Sequence, residues 1–205
     1  MGIFEKGNYR PISSEFRTRG IVSLQELSKF QEKFRIYDTD TTINSIRDAI
    51  VANYLGYDLL NFDKHGFDAK KSNSEIYLEI KQCSITSERL GGTWNDTSIE
   101  KAKAFSDPRL FTAVAIWKGA SDLQFIVYGQ HEGVGKYLFD KVVNRKAGSR
   151  STQSIGIEKL IKTYKFDIVC PPDKTKEFVC SILVNYQRNL AEYVELSNIK
   201  TIQDF

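Results

Sequence analysis

Seven consecutive residues, Phe111-Thr112-Ala113-Val114-Ala115-Ile116-Trp117, constrain this chain more than any other stretch. The run stops at Lys118, far short of the roughly 20 apolar residues a membrane helix needs. Ala113, Ala115 and Trp117 alternate with Val114 and Ile116, so both sides of an extended strand here are apolar. A strand buried on both faces is a central strand of a sheet covered by helices on either side. Helical periodicity elsewhere supplies the cover. Leu24, Leu27, Phe30 and Phe34 recur behind Ser23, with Glu26 completing a capping box. Ile43, Ile46, Ile50, Val51, Tyr54 and Leu55 form a stripe from about Thr42 that Gly56 closes. Phe178, Ile182, Leu183, Tyr186 and Leu190 form a third between Thr175 and Val194. Short strands are expected near 57–62, 66–70, 75–83, 110–117 and 123–129. The expected class is α/β, with a mixed sheet flanked by helices.

A chain of 205 residues, 41% of them hydrophobic, can bury one proper core, and a single domain is expected. Within it, residues 1–22 show no clear period and read as an N-terminal arm, with at most a strand at 19–22. Cys83, Cys170 and Cys180 are odd in number and never spaced Cys-x-x-Cys, which argues for reduced thiols rather than disulfides or zinc. The N-terminal residues Met1 to Lys6 lack the apolar core of a signal peptide and the serine or threonine that myristoylation wants. A cytoplasmic protein with no membrane association is expected.

The chemistry concentrates between His65-Gly66-Phe67-Asp68 and Tyr77-Leu78-Glu79-Ile80-Lys81-Gln82. From Glu75 onward the second stretch alternates, with Ile76, Leu78 and Ile80 on one face and Glu75, Tyr77, Glu79 and Lys81 on the other. Glu79 and Lys81 therefore point the same way. Mg²⁺ wants hard oxygen ligands, and two carboxylates plus the backbone carbonyl between them supply half an octahedron, leaving the rest to water and a phosphate oxygen. A lysine one pleat further on reaches that water and that phosphate. An acid-x-Lys triplet alone is common, and Asp68-Ala69-Lys70 is a second one in this chain. A solvated cross-strand charge pair is the plain alternative. Position is what lifts Glu79-Ile80-Lys81 above it: a preceding apolar helix, a strand ending in Gly-Phe-Asp, then the acid-x-Lys on the next strand.

In that arrangement the chain resembles the PD-(D/E)xK nuclease superfamily, and within it the type II restriction endonucleases. Arg47 to Gly56 carry the resemblance as the helix before the core, Asn61 to Ala69 as the strand and turn with the first acid, and Glu79 to Gln82 as the second half of the motif. It spans about residues 42–130. Phe67 stands where the motif has its proline, a residue that is not a ligand. The resemblance implies a restriction-endonuclease-like core in which Asp68, Glu79 and the Ile80 carbonyl hold Mg²⁺. It implies further that Lys81 orients or activates the attacking water, that Gln82 lines the site, and that Asp48 adds a further acid from the helix, where a solvated helix residue is the alternative. It also implies a homodimer, because cutting both strands of a palindrome needs two sites related by a two-fold axis.

Charge and loops complete the expectation of a double-stranded DNA partner. Net charge is +3, yet residues 136–165 hold eight Lys or Arg against Asp140 and Glu158, a segment of +6 in a remainder of −3. Such a segment is either a solvated face or a phosphate-binding surface, with Lys146 and Arg150 as its candidate contacts. Two polar stretches, 84–98 and 148–154, read as loops. Trp94, Asn95, Asp96 and Thr97 in the first, and Arg150, Ser151 and Gln153 in the second, are the candidate DNA-binding residues, with Trp94 either an exposed reader or a core plug. The two alternatives to a restriction enzyme are a structure-selective repair or junction nuclease of the same core and a catalytically inactive DNA-binding relative. A histidine-based site is disfavoured, since only His65 and His131 occur and neither has ligand spacing.

Overall fold

The computed structural model describes residues 8–10, 12–34, 41–61, 67–95, 97–145, 152–186 and 190–205. His65, Asp96, Lys146, Arg150 and Ser151 lie outside these residues. The chain is an α/β protein with six α-helices among the described residues and a mixed, strongly curled sheet. It opens with β1 (Asn8–Arg10), then α1 (Ser14–Phe34) and α2 (Thr41–Tyr54). The antiparallel strands β2 (Tyr57–Asn61), β3 (Ala69–Lys71) and β4 (Tyr77–Ser84) follow. Next come β5 (Gly91–Trp94), α3 (Ile99–Ala104) and the hairpin of β6 (Leu110–Lys118) with β7 (Asp122–Gly129). The remainder is α4 (Glu132–Val143), β8 (Gln153–Gly156), α5 (Ile157–Lys162), β9 (Asp167–Cys170), α6 (Lys176–Asn185) and β10 (Ile199–Thr201). The main sheet has the order β1-β2-β3-β4-β6-β7-β9-β10, and β5 and β8 form a separate antiparallel ribbon.

Strand β6 sits where its sequence requires, hydrogen-bonded to β4 in parallel and to β7 antiparallel, with Thr112 to Trp117 all buried. Its two faces enter two cores. Val114 and Ile116 join residues of α3, α4, α5 and α6, whereas Ala113, Ala115 and Trp117 join Leu24 of α1 and Ile43, Ile50, Val51 and Leu55. The sheet is thus covered by helices on both faces, the only way a strand without a polar side escapes water.

Helix α1 begins earlier than its pattern suggests. The side chain of Ser13 accepts the Phe16 N–H at 3.0 Å and its carbonyl accepts the Arg17 N–H, so Ser13 rather than Ser23 caps the helix. The expected arm therefore ends in a helix from Ser14, and 19–22 is helical rather than extended. Residues 14–22 are largely exposed, which is why they carry no apolar period. Gly20 lets α1 approach α2, since a Cβ there would stand 3.3 Å from Ile46 Cγ2. The closing helix is shorter than its apolar stripe: α6 ends at Asn185, and Leu190 returns its N–H to the Leu183 carbonyl at 3.0 Å.

The alternation in β4 also has a different meaning from the one expected. Tyr77, Leu78, Glu79 and Ile80 are all buried. Tyr77 faces one core and Leu78 and Ile80 the other, so the period of two sorts side chains between two interiors rather than between core and solvent. Glu79 is consequently a buried acid, 2% exposed.

Candidate active site

Asp68 stands at the bend just before β3, and its backbone is fixed on both sides. The preceding Phe67 is buried against Tyr77 and Phe105, each ring 6.2 Å away. Phe67 thus anchors the turn by packing. The Asp68 N–H donates to the Leu78 carbonyl at 3.0 Å, the last rung between this segment and β4. One pleat on, where β3 has no further rung to offer, the Ile80 N–H donates to Asp68 Oδ2 at 2.6 Å. The N–H and C=O of one strand residue point to the same side, so the Ile80 carbonyl also faces Asp68.

Glu79 lies on the opposite face of β4 from Ile80 and is held by two ammonium groups. Lys81 Nζ donates to Glu79 Oε1 at 2.6 Å, and Lys101 Nζ lies 3.6 Å from the same oxygen. Lys101, on the first turn of α3 and placed by the Ser98 cap that accepts its N–H at 3.1 Å, has no counterpart in the sequence reading. Nothing local marks it, because its distance to Glu79 is set by how α3 docks beside β4.

Asp48 arrives from α2. Its neighbour Arg47 clamps that helix to the β6–β7 turn, donating through Nε to the Ala120 carbonyl at 2.8 Å and through a terminal nitrogen to the Gly119 carbonyl, over the Trp117 ring at 5.0 Å. Asp48, 8% exposed, accepts from Gln82 Nε2 at 2.5 Å. Gln82 in turn accepts from the Trp117 indole N–H. Its amide thus links Asp48 to the Trp117 indole and positions that acid beside the site. Asp48 is not a solvated helix residue.

Electrostatics follow from crowding three carboxylates. Burial, then the Glu79 charge and that of Asp48, push the Asp68 carboxyl up to about 7, against the opposing pull of Lys81 and the Ile80 N–H. Burial by itself would lower Lys81, but Glu79 and Asp68 together outweigh it and hold its pKa above the ordinary lysine value. Lys81 is therefore an ammonium, suited to holding water or a phosphate oxygen and not to removing a proton.

The donor set fits a hard cation. Among the described residues no three His, Cys, Asp or Glu side chains are grouped to hold a metal alone. Mg²⁺ commonly takes only one or two carboxylates, with waters and phosphate completing its shell. Asp68 and Glu79, with the Ile80 carbonyl, could hold it, and a divalent charge would relieve the mutual repulsion that raises Asp68.

The other sequence candidates scatter. Trp94 is not exposed: it is fully buried edge-to-face on Phe105 at 5.9 Å, and its indole N–H has no partner among the described residues. Thr97 is 2% exposed and donates to the Trp94 carbonyl at 3.1 Å. Both belong to the core because the stretch expected to be an open loop pairs as β5 with β8, which turns the indole inward. Asn95 is exposed and Gln153 partly so. His131 caps α4, accepting the Gly133 N–H at 2.9 Å, and stacks on Tyr164. The three cysteines are free thiols. No helix among the described residues is long and apolar enough to cross a membrane. No family model matches the chain, and no curated protein matches it in sequence.

Proposed function

We propose that the protein is a metal-dependent phosphodiesterase that cuts nucleic acid, with Asp68, Glu79 and Lys81 as its catalytic residues. More particularly, we propose a type II restriction endonuclease that cleaves double-stranded DNA at a defined sequence with Mg²⁺, as a homodimer, leaving 5′-phosphate and 3′-hydroxyl ends. The observation that carries the reading is the convergence at one sheet edge of two acids from adjacent segments, the half-buried Asp68 on the Ile80 N–H at 2.6 Å and the buried Glu79 on Lys81 at 2.6 Å. A structural ion pair has no need of the third acid, Asp48, which raises the pKa of Asp68. Clustered like charges with a displaced pKa are costly to a fold and are found where function requires them.

Mg²⁺, when bound, supplies Lewis-acid stabilisation of the charge that builds on the phosphoryl oxygens. The chain's own groups do the positioning. The Lys81 ammonium donates to the attacking water and to a non-bridging phosphate oxygen, which sets the water in line with the leaving 3′-oxygen. Lys101 adds a second positive charge beside Glu79. Water adds its oxygen to phosphorus and gives up a proton to solvent as the P–O3′ bond breaks, and the 3′-oxygen leaves with a proton from solvent. Asp48, fixed by Gln82 and Arg47, maintains the negative field.

The deciding experiment incubates the purified chain with phage DNA and Mg²⁺ and sequences the fragment ends. A single consensus flanking every end supports the restriction reading. Cleavage confined to branched or flapped DNA replaces it with a structure-selective nuclease, and binding without cleavage with an inactive relative.

A further inference from the structure

Two stretches far apart in sequence meet in the ribbon of β5 and β8, with Thr93 opposite Ser154 and Trp94 opposite Gln153. Its inner side is core: Gly92, Trp94 and Ile155 are buried. The outer side is polar. Thr93, Asn95, Thr152 and Ser154 are exposed there and stand in two facing pairs, the Thr93 and Ser154 hydroxyls 3.2 Å apart and the Thr152 hydroxyl donating to Asn95 Oδ1 at 3.4 Å.

Three observations indicate what covers this face. The ribbon lies beside the candidate active site, backing onto it with its inner side, where a Cβ on Gly92 would stand 3.2 Å from Lys81 Cγ. Its flank is basic: the Tyr137 hydroxyl donates to the Ser154 carbonyl at 3.4 Å, and the Tyr137 ring carries Lys159 Nζ at 4.0 Å and Lys141 Nζ at 5.6 Å. Neither lysine is paired with a carboxylate among the described residues. Finally, Gly156 is a glycine the fold does not demand. Its φ of −71° and ψ of 148° suit any residue, and a Cβ there would meet only the Leu90 carbonyl oxygen at 3.7 Å. It caps α5 without a side-chain hydrogen bond, where serine would serve better. A bare backbone at an exposed end with room for a side chain leaves space for a close-approaching ligand.

We infer that the β5–β8 ribbon is the element that enters the major groove of duplex DNA. Thr93, Asn95, Thr152 and Ser154 present donors and acceptors to base edges, and Lys141 and Lys159 contact the flanking phosphates. That the ligand is DNA rests on the nuclease reading above. The dimensions agree: paired strands lie about 4.8 Å apart, and a two-stranded ribbon with its side chains fits a groove about 12 Å wide. Hydroxyls and amides in fixed pairs suit base edges, and the adjoining lysines supply the sequence-independent attraction.

The test profiles the full chain and its variants against a random-sequence duplex library, by binding in EDTA and by cleavage in Mg²⁺. Thr93→Val, Asn95→Ala and Ser154→Ala are each expected to relax preference at one or two base pairs by about 5- to 150-fold. Lys159→Gln should weaken binding to all duplexes alike and reduce the salt slope by about one. Gly156→Ser should unfold at the same or higher urea concentration yet bind duplex DNA more weakly. A consensus unchanged in all three ribbon variants overturns the inference, as does a wild type that binds or cuts without any consensus. Sequence-selective binding that the ribbon variants alter, without cleavage, upholds the ribbon and sinks the nuclease reading. Cleavage at a consensus indifferent to the ribbon does the reverse, and failure to bind duplex DNA overturns both.

Discussion

Replacing Asp68 by asparagine should make the metal-free protein more stable at alkaline pH, although it removes a ligand from the candidate metal site. The Asp68 carboxyl is raised from 3.8 to about 7 in the folded chain, first by burial and then by Glu79 and Asp48. It binds its proton about three powers of ten more tightly folded than unfolded, equivalent to roughly 4 kcal/mol at 1.36 kcal/mol per power of ten. The sign follows from the proton count. Below pH 4 the carboxyl is neutral in both states and costs nothing. Between about 4 and 7 the unfolded chain loses the proton first, so stability falls as pH rises. Above 7 both states are ionised and the penalty stays at its full value. Asparagine matches the shape, keeps an oxygen for the Ile80 N–H and carries no charge. Relaxation and water entry reduce the ceiling, and a gain of about 2 kcal/mol at pH 8.5 is expected. Urea unfolding in EDTA at pH 4, 6 and 8.5 measures it: the gap between variant and wild type should be near zero at pH 4 and fully open at pH 8.5. Mg²⁺ should then stabilise the wild type and leave the variant unmoved. An asparagine variant no more stable than wild type at pH 8.5, or a gap independent of pH, would refute the reasoning.

Glu79→Ala and Asp68→Ala should each abolish Mg²⁺-dependent cleavage while leaving duplex DNA binding intact or tighter; a gel assay showing full activity in either removes these residues from the site. Lys101→Met, which deletes the charge 3.6 Å from Glu79 Oε1, should slow single-turnover cleavage by about 10- to 100-fold, the scale of one electrostatic contact; an unchanged rate makes Lys101 a mere neighbour. Arg47→Met should destabilise the fold by about 3 kcal/mol, because the Ala120 and Gly119 carbonyls lose charged donors in a largely buried position. A urea midpoint within experimental error of wild type would show that α2 needs no such clamp.

What the chain declares locally is what depends on short-range pattern. The two-faced apolar run of β6, the stripe of α2 and the turn-acid, strand-acid-x-lysine order are all visible within ten or twenty residues, because side-chain period and backbone geometry are local properties. That Asp68 and Glu79 approach the same edge follows from adjacent antiparallel strands, so the core of the candidate site was legible as well. Three features were not. Glu79 is buried because helices cover both faces of β4, and alternation cannot tell a second core from solvent. Trp94 points inward because β5 pairs with a strand some sixty residues away, a register no local signal encodes. Lys101 joins the site only through the docking of α3 beside β4, and the hydrogen bond that ties Asp48 to Gln82 forms only when α2 docks there. Chemistry carried on one strand can be read from the residues themselves; the field around it, and the surface beside it, are created when distant segments pack.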